Sequence, residues 1–182
     1  MGALALIILS PLLLIISLAV LFTDGAPVIF KQARVGKNDS LFYIYKFRTM
    51  KTGTRNVAKK DLDEYKSCIT PVGRILRKTS LDELPQLLNI IKGEMSFVGP
   101  RPLIPEEAHI RELRREYGVY SVLPGVTGWA QVKGRDNFSD EEKAGYDREY
   151  VERQSLAFDI KIVFMTVGVV LTHKNMSPHD DV

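Results

Sequence analysis

The distribution of apolar and polar residues divides the chain into two parts. Residues 2–22 are apolar except for two serines and a proline, and no charged residue precedes Asp24. A helix of this length reaches about 30 Å, the thickness of the hydrocarbon core of a bilayer. A cleaved signal peptide would instead carry a basic stretch before a shorter apolar run. The pattern predicts a membrane-inserted helix over residues 1–23 and a polar, membrane-associated domain over residues 24–182.

Two residues near the middle of the apolar segment predict a break in its helix. Pro11 cannot donate a backbone hydrogen bond to the Ile7 carbonyl, so a kink is expected, and the Ser10 hydroxyl is a local partner for the freed carbonyl. A kinked spanning helix and a re-entrant helix that returns to its side of entry both fit this pattern. The basic residues that follow the segment assign the rest of the chain to the cytoplasm by the positive-inside rule.

Beyond the apolar segment, the periodicity changes from that of strands to that of helices. Residues 28–34 and 41–50 are rich in β-branched and aromatic side chains around a polar turn, which predicts a β-hairpin. A polar loop is expected over residues 51–60. Helical spacing and capping residues then predict five helices, over residues 71–78, 80–93 and 105–117, from Ser139 onward, and over residues 156–171. In the fourth of these, Glu142 completes a capping box with Ser139.

Several of these helical segments carry further expectations. The second helix has apolar residues at helical spacing that predict one buried face, namely Leu81, Leu84, Leu87, Leu88 and Ile91. The charge run over residues 111–116 is expected to be a solvated helix face. The last helix is strongly apolar but carries Asp159 and Lys161, a mixture that suits a membrane interface or a core helix. Residues 123–135, which include Trp129, predict a tightly specified loop.

Composition narrows the function classes. The net charge of +3 is too small to indicate nucleic-acid binding, although a mild basic bias suits an anionic membrane surface. The single Cys68 cannot form an internal disulfide, which favours a reducing compartment. The three histidines are unclustered, so no zinc site is expected. No glycine-rich nucleotide-binding motif is present.

The candidate chemistry lies at the start of the second predicted helix. Ser80 and Glu83 fit a capping box, so Asp82 and Glu83 are predicted in the first helical turn, where backbone N–H groups and the helix dipole stabilise negative charge. An ionised carboxylate there can attack phosphorus, and a neighbouring carboxylate can hold Mg²⁺. Acidic residues in a first turn are also common without any function. Pro85 weakens that purely structural interpretation, because it removes a helical hydrogen bond without capping anything.

Phosphoryl chemistry also needs cations to neutralise the non-reacting oxygens. Two of the candidates, Arg101 and Arg135, lie in rigid surroundings rich in proline or glycine. The full set of candidate cations is Lys46, Arg48, Arg77, Arg101 and Arg135.

Four stretches give the chain a resemblance to a known family. In order and spacing, they resemble the bacterial sugar transferase family, the monotopic phosphoglycosyl transferases. The matching stretches are YKFRTM (residues 45–50), TSLDELPQ (79–86), KGEMSFVGPRP (92–102) and PGVTGWAQVKGR (124–135). With the apolar segment and the last helix, the resemblance covers nearly the whole chain.

The resemblance implies a fold, an activity and a site. The fold would be α+β: a mostly helical monotopic membrane protein with a re-entrant helix broken at Ser10-Pro11, a small β-hairpin and amphipathic interfacial helices. The activity would be transfer of a sugar 1-phosphate from a UDP-sugar to undecaprenyl phosphate, releasing UMP. Asp82 would be the nucleophile and Glu83 the ligand of Mg²⁺. Basic residues near the substrate phosphates would be Lys46, Arg77, Arg101 and Arg135. The implied location is the bacterial inner membrane, with the catalytic part facing the cytoplasm.

The chain also departs from the family pattern. It begins without the short basic run that usually precedes the apolar helix, which is expected of a truncation or a variant. Leu123 replaces a basic residue often found before the Pro-Gly turn. The long transmembrane extension of larger relatives is absent, so a minimal catalytic form is expected. The alternative function is a non-catalytic, membrane-anchored module that binds phosphorylated lipid. The sequence does not fix the sugar or the oligomeric state, and a dimer is compatible with it.

Overall fold

A computed structural model describes residues 2–54, 67–134 and 138–172. The chain forms two compact units. The first comprises Met1–Gln32 and Tyr43–Lys92, and the second comprises Ala33–Phe42 and Gly93–Met176. Both contain helices and short strands, which confirms the α+β class. Most of the predicted polar loop, residues 55–60, lies outside the described residues.

The first helix, α1 (Gly2–Asp24), is the predicted apolar segment. It continues through Pro11, and Ser10 Oγ donates a hydrogen bond of 2.7 Å to the Ile7 carbonyl, as expected. Within Ala5–Asp24, the most apolar window of 18 residues has a mean hydropathy of 2.9, and only 11 % of that window is buried. It is long and apolar enough to cross a membrane. So large an exposed apolar surface indicates contact with lipid or another apolar phase.

The core of the first unit joins α1 to the helix and strand beside it. Ile16 and Val20 of α1 pack with Phe47, the last residue of β2 (Leu41–Phe47), and with Leu76 of α2 (Pro71–Lys78). Thr70 caps α2, because its Oγ1 accepts a hydrogen bond of 2.9 Å from the Gly73 backbone N–H. A strand β1 (Ile29–Val35) pairs with β2 around a 3-10 turn at Lys37–Asp39. The hairpin prediction is therefore confirmed.

The second predicted helix, residues 80–93, is not one regular helix. A 3-10 helix over Leu81–Gln86 precedes a short α3 (Leu87–Ile91). Because a 3-10 helix has three residues per turn, the side chains after it point in other directions than an α-helix would give them. The expected buried face is accordingly wrong in part: Leu87 is buried, whereas Leu88 and Ile91 are 41 % and 46 % exposed.

The second unit contains a parallel strand pair that the sequence pattern did not predict. Strand β3 (Ser96–Val98) pairs with β4 (Gly125–Thr127). Glycines at the crossing let backbones touch, since a Cβ at Gly125 would lie 2.1 Å from the Gly99 nitrogen. The expected tight loop around residues 123–135 thus contains a strand and a helix, α5 (Trp129–Lys133).

Three longer helices complete the second unit. They are α4 (Ala108–Glu116), α6 (Asp140–Arg153) and α7 (Leu156–Thr172), with a 3-10 turn at Val119–Ser121 after α4. The predicted capping box of α6 is confirmed, with both the Ser139 and Glu142 hydrogen bonds present. Helix α4 begins three residues later than predicted, because the Glu107 carboxylate accepts from the Ile104 backbone N–H and holds the preceding residues in a turn.

A buried ion pair connects α4 to α6. The Arg114 guanidinium donates to Asp147 Oδ2 through two nitrogens, at 2.9 and 2.5 Å, and both side chains are at most 4 % exposed. The Arg114 Nη1 also donates to the Arg101 carbonyl at 2.7 Å. The prediction that residues 111–116 form a solvated face is therefore wrong at Arg114, since a fully paired guanidinium can be buried where a free one cannot.

Candidate active site

The two predicted catalytic carboxylates lie in the 3-10 helix between α2 and α3. Lys46 Nζ, near the end of β2, lies 2.8 Å from Glu83 Oε1, and both side chains are less than a fifth exposed. The buried Gln86 amide donates to the other oxygen, Glu83 Oε2, at 3.0 Å. Glu83 is thus held by a cation on one oxygen and by an amide on the other, in a fixed orientation.

Ser80 does not form the predicted capping box. Its backbone lies in the left-handed region, with φ of 56°, and its side chain makes no capping hydrogen bond. The Glu83 carboxylate reaches Lys46 and Gln86 instead of the Ser80 backbone. Pro85, which cannot donate the α-helical hydrogen bond to Leu81, lies within this 3-10 helix. Glu83 is therefore available for the site rather than committed to a helix end.

Arg77 reaches the site from the last turn of α2. Its Nε donates to Thr49 Oγ1 at 2.8 Å, and Thr49 is buried. The helix can approach the chain at Thr49 because residue 73 is glycine: a Cβ there would lie 2.1 Å from the Thr49 carbonyl oxygen. A backbone contact thus fixes the distance of Arg77 from the residues that follow β2.

Asp82 is the carboxylate with the most altered acidity in the site. Burial raises its pKa, Lys46 lowers it, the charge of Glu83 raises it, and Arg77 lowers it, with a resulting pKa of about 6. A backbone hydrogen bond lowers the pKa of Asp82, in the direction predicted for a first helical turn, but loss of hydration outweighs it and the net shift is upward. At neutral pH a carboxylate with this pKa is still mostly ionised.

The donor set fits a hard divalent cation. Glu83 and Asp82 supply carboxylate oxygens, the ligands that Mg²⁺ takes together with substrate phosphates. The charge of Glu83 beside a buried Asp82 raises the pKa of Asp82, and a cation at this point would relieve that repulsion. No group of three or more metal-ligating side chains occurs among the described residues, so any ion there would take its other ligands from substrate or water.

Arg48 contributes in a way that sequence reasoning did not predict. It was a candidate for substrate phosphate, yet it is 7 % exposed and its Nη2 donates to the carbonyls of Asp24 and Gly25 at 2.6 and 2.5 Å. Arginine at the carbonyl end of a helix is stabilised by the helix dipole. Because Arg48 follows Lys46 by two residues, this contact ties the strand that carries Lys46 to the end of α1. No sequence signal pointed to this role, because the two carbonyls lie more than twenty residues before Arg48.

The remaining predicted site residues are Arg101, Arg135, Ser10 and Pro11, and the structure describes all of them except Arg135. Arg101 lies in the second unit, between Pro100 and Pro102, and its side chain is half-buried. Arg135 lies outside the described residues. Ser10 and Pro11 are exposed in the middle of α1. The described geometry therefore groups Asp82 and Glu83 with Lys46 and Arg77. Gln86 and Thr49, which hold two of these side chains, had no recognisable signal in the sequence.

Comparison with known proteins identifies the family of the chain. The sequence matches the bacterial sugar transferase family over residues 1–173. It is 40 % identical over 174 residues to a UDP-glucose:undecaprenyl-phosphate glucose-1-phosphate transferase of Escherichia coli, covering 92 % of this chain and 38 % of that protein. It is 40 % identical over 182 residues to the exopolysaccharide production protein ExoY of Sinorhizobium fredii, covering 92 % and 80 %. It is 44 % identical over 155 residues to the uncharacterized sugar transferase EpsL of Bacillus subtilis, covering 84 % and 74 %.

Proposed function

The chain belongs to the bacterial sugar transferase family, and from that premise we propose that it transfers a sugar 1-phosphate from a UDP-sugar to undecaprenyl phosphate. The observation that carries the proposal is the pair of adjacent carboxylates, Asp82 and Glu83, with Lys46 bound to the second and Arg77 acting on the first. The names of the Escherichia coli relative and of an undecaprenyl-phosphate glucose phosphotransferase of Komagataeibacter xylinus support this substrate class. The pathway served would be exopolysaccharide or another glycoconjugate.

The proposed chemistry has two steps. An Asp82 carboxylate oxygen attacks the phosphorus next to the sugar, the bond from that phosphorus to the bridging oxygen breaks, and UMP leaves with the electron pair. A phosphate oxygen of undecaprenyl phosphate then attacks the same phosphorus. The bond to Asp82 breaks, which yields the polyprenyl diphosphate sugar and restores the carboxylate. Asp82 is suited to the first step, because with a pKa of about 6 it remains mostly ionised at neutral pH.

The neighbouring side chains neutralise charge around the reacting phosphorus. Lys46 and Arg77 are the cations that lie close enough to alter the acidity of Asp82, so they would also act on phosphate oxygens brought to it. Glu83 would hold Mg²⁺, which when bound supplies charge neutralisation to the diphosphate. Lys46 and Gln86 keep the Glu83 carboxylate oriented for that role.

For α1 we propose re-entrant rather than spanning insertion. Its first residues lie against α3, since a side chain at Gly2 would lie 3.2 Å from Ile91 Cγ1. Its last residues are bound by Arg48, and its middle packs on Phe47 and Leu76. A helix whose two ends both touch the unit that holds the catalytic carboxylates does not carry those ends to opposite sides of a bilayer. The catalytic part would then face the cytoplasm from the bacterial inner membrane, attached by one leaflet.

The experiment that tests the function is a single-turnover assay without the lipid acceptor. Purified protein mixed with UDP-sugars should release one equivalent of UMP in a burst and gain the mass of one phosphosugar. Initial rates with both substrates should show ping-pong behaviour. Asp82→Asn should abolish the burst and the adduct while circular dichroism remains unchanged.

Three outcomes would contradict the proposal. A burst that survives in Asp82→Asn would assign the nucleophile to another residue. Rates that require both substrates bound together, with no burst, would mean direct attack by the lipid phosphate. Binding of undecaprenyl phosphate with no turnover of any UDP-sugar would identify a non-catalytic lipid-phosphate module.

A further inference from the structure

The only tryptophan of the chain is held in a fixed orientation within the second unit. Trp129 is 4 % exposed, and its Nε1 donates to Glu149 Oε2 at 2.7 Å. Its ring packs against Phe158, with 5.0 Å between the ring centroids. A hydrogen bond and an aromatic contact thus fix the indole from two sides.

Three exposed cations from three helices gather around this ring. The Lys133 ammonium lies 4.7 Å from the ring centroid, the Arg153 guanidinium 5.7 Å and the Lys161 ammonium 5.7 Å. Cations are attracted to the face of an aromatic ring. They also repel each other, and that repulsion makes such a group a favourable place for an anion.

The positive charge of this group is only partly compensated. Glu149 pairs with Arg153, and the pKa of Glu149 lies below its usual range because of the Trp129 hydrogen bond and the charges of Arg153 and Lys133. Within the described parts of the chain, neither Lys133 nor Lys161 forms an ion pair. The nearby Asp159 accepts a hydrogen bond of 2.9 Å from the Tyr150 hydroxyl. A net positive charge therefore remains at the surface beside Trp129.

An apolar stripe on α7 begins beside these cations. Its members recur at helical spacing and are 44–78 % exposed: Leu156, Ile160, Val163, Phe164 and Val167. The opposite side of α7 supplies Phe158 and Ile162 to the core, so the exposed stripe is a second apolar face. An apolar face bordered by lysine and arginine is the pattern of helices that lie in a membrane interface.

We propose that Lys133, Arg153 and Lys161 form a binding site for the headgroup phosphate of an anionic phospholipid, with the exposed stripe of α7 seated among the acyl chains beside it. The occupant follows from charge complementarity: zwitterionic headgroups carry no net charge, whereas anionic lipids attract nearby basic residues. The inference rests on the proposed membrane attachment, but it does not depend on the phosphotransfer reaction.

The test uses Trp129 as its own fluorescent reporter. The full chain is reconstituted into phosphatidylcholine vesicles that contain a small, equal fraction of brominated phosphatidylglycerol or brominated phosphatidylcholine. Brominated phosphatidylglycerol should quench Trp129 several-fold more than brominated phosphatidylcholine. The preference should disappear in the double variant Lys133→Gln/Lys161→Gln and at high salt, because the attraction is electrostatic. Arg153 is left in place, since it also contacts Phe158 and Glu149.

A matched control removes the same charge from the same unit. Lys143→Gln/Arg148→Gln alters two cations that already pair with Asp140 and Glu152, and it should keep the preference. Equal quenching by both lipids, or a preference unchanged in the Lys133→Gln/Lys161→Gln variant, would overturn the proposal. So would loss of the preference in millimolar inorganic phosphate or UMP, which would identify a site for soluble anions.

Two further measurements separate this inference from the proposed function. Co-sedimentation with both kinds of vesicle checks membrane attachment itself, so a failure to attach is distinguished from a failure to select. Asp82→Asn should retain the lipid preference even though it abolishes the UMP burst. Loss of the preference in that variant would show that the quenching reports the reaction site and would also overturn the proposal.

Discussion

Asp82 and Glu83 are neighbours in sequence, yet the protein surrounds their carboxylates differently. Glu83 has a partner on each oxygen, Lys46 and Gln86, whereas Asp82 is buried with cations close by and its pKa is raised to about 6. Different environments for adjacent carboxylates allow different roles. The pair therefore suits one carboxylate that reacts and one that holds charge in place.

The assignment of Glu83 to a metal predicts metal-dependent turnover. EDTA should abolish UMP release and Mg²⁺ should restore it. Loss of a side chain that only supports a metal ligand weakens metal binding about 10–100-fold. Glu83→Gln removes a direct ligand, so it should raise the half-saturating Mg²⁺ concentration by at least that factor. A Mg²⁺ titration of the UMP burst measures this, with the exposed Glu152→Gln as control. Undiminished activity in a chelated sample would rule out the metal role.

Helix α2 delivers Arg77 to the site through a contact that tolerates no side chain. Gly73→Ala would place a Cβ 2.1 Å from the Thr49 carbonyl oxygen, so α2 has to move and the Arg77–Thr49 hydrogen bond has to lengthen. Overpacking of this kind costs about 1–3 kcal/mol. We expect a lower melting temperature and a slower UMP burst, measured by thermal unfolding and rapid quench.

Gly145 in α6 provides the matched glycine control. A Cβ there meets nothing within 4 Å. Gly145→Ala should therefore stabilise the protein by about 0.4–1 kcal/mol, since alanine is the better helix former and restricts the unfolded chain. An unchanged melting temperature for Gly73→Ala would contradict the tight contact between α2 and Thr49.

The ion pair between α4 and α6 predicts a large and asymmetric effect on stability. Asp147→Asn leaves the Arg114 guanidinium buried without its counter-charge, and such a loss costs about 3–5 kcal/mol. The double variant Arg114→Met/Asp147→Leu removes both charges and should recover much of that loss. Urea unfolding of the three proteins measures the difference. A double variant no more stable than Asp147→Asn would show that packing, not the unpaired charge, sets the cost.

The predictability of each element follows from how local its causes are. Helix α6 was predictable because Ser139 and Glu142 form its capping box within four residues. The parallel pair of β3 and β4 was not, because three-residue strands carry no periodicity and pair across a long stretch of chain. The 3-10 helix at Leu81–Gln86 lies between these cases. Pro85 signalled an irregularity, but the left-handed Ser80 and the ion pair to Lys46 depend on tertiary contacts.

The same distinction applies to the site. Asp82 and Glu83 were found as an acidic pair beside a proline, and the family resemblance assigned their roles. Their acidity was not predictable, because it depends on burial, which dominates the pKa of Asp82. The structural role of Arg48 was equally hidden, since its partners at the end of α1 lie more than twenty residues earlier in the chain.

For the molecule as a whole, the arrangement of α1 predicts its membrane topology. Single cysteines introduced as Gly2→Cys or Asp24→Cys, each in a Cys68→Ala background, should react with an impermeant reagent from the same side of sealed vesicles. Both ends of α1 touch the unit that carries the catalytic residues, which is the reason for this expectation. Labelling from opposite sides would establish a spanning helix.

The hairpin of β1 and β2 is shared between the two units, and this has a consequence for how the chain can be cut or recombined. Its base belongs to the first unit and its tip, Ala33–Phe42, to the second, where Asp39 pairs with Arg111 and Arg115. Within the described residues, the polypeptide consequently passes from one unit to the other three times. No single cleavage or exon-like junction separates them, and a fragment beginning at Gly93 lacks the aspartate that neutralises two arginines of α4. Any single junction with a relative, wherever it is placed, therefore divides at least one of the two units.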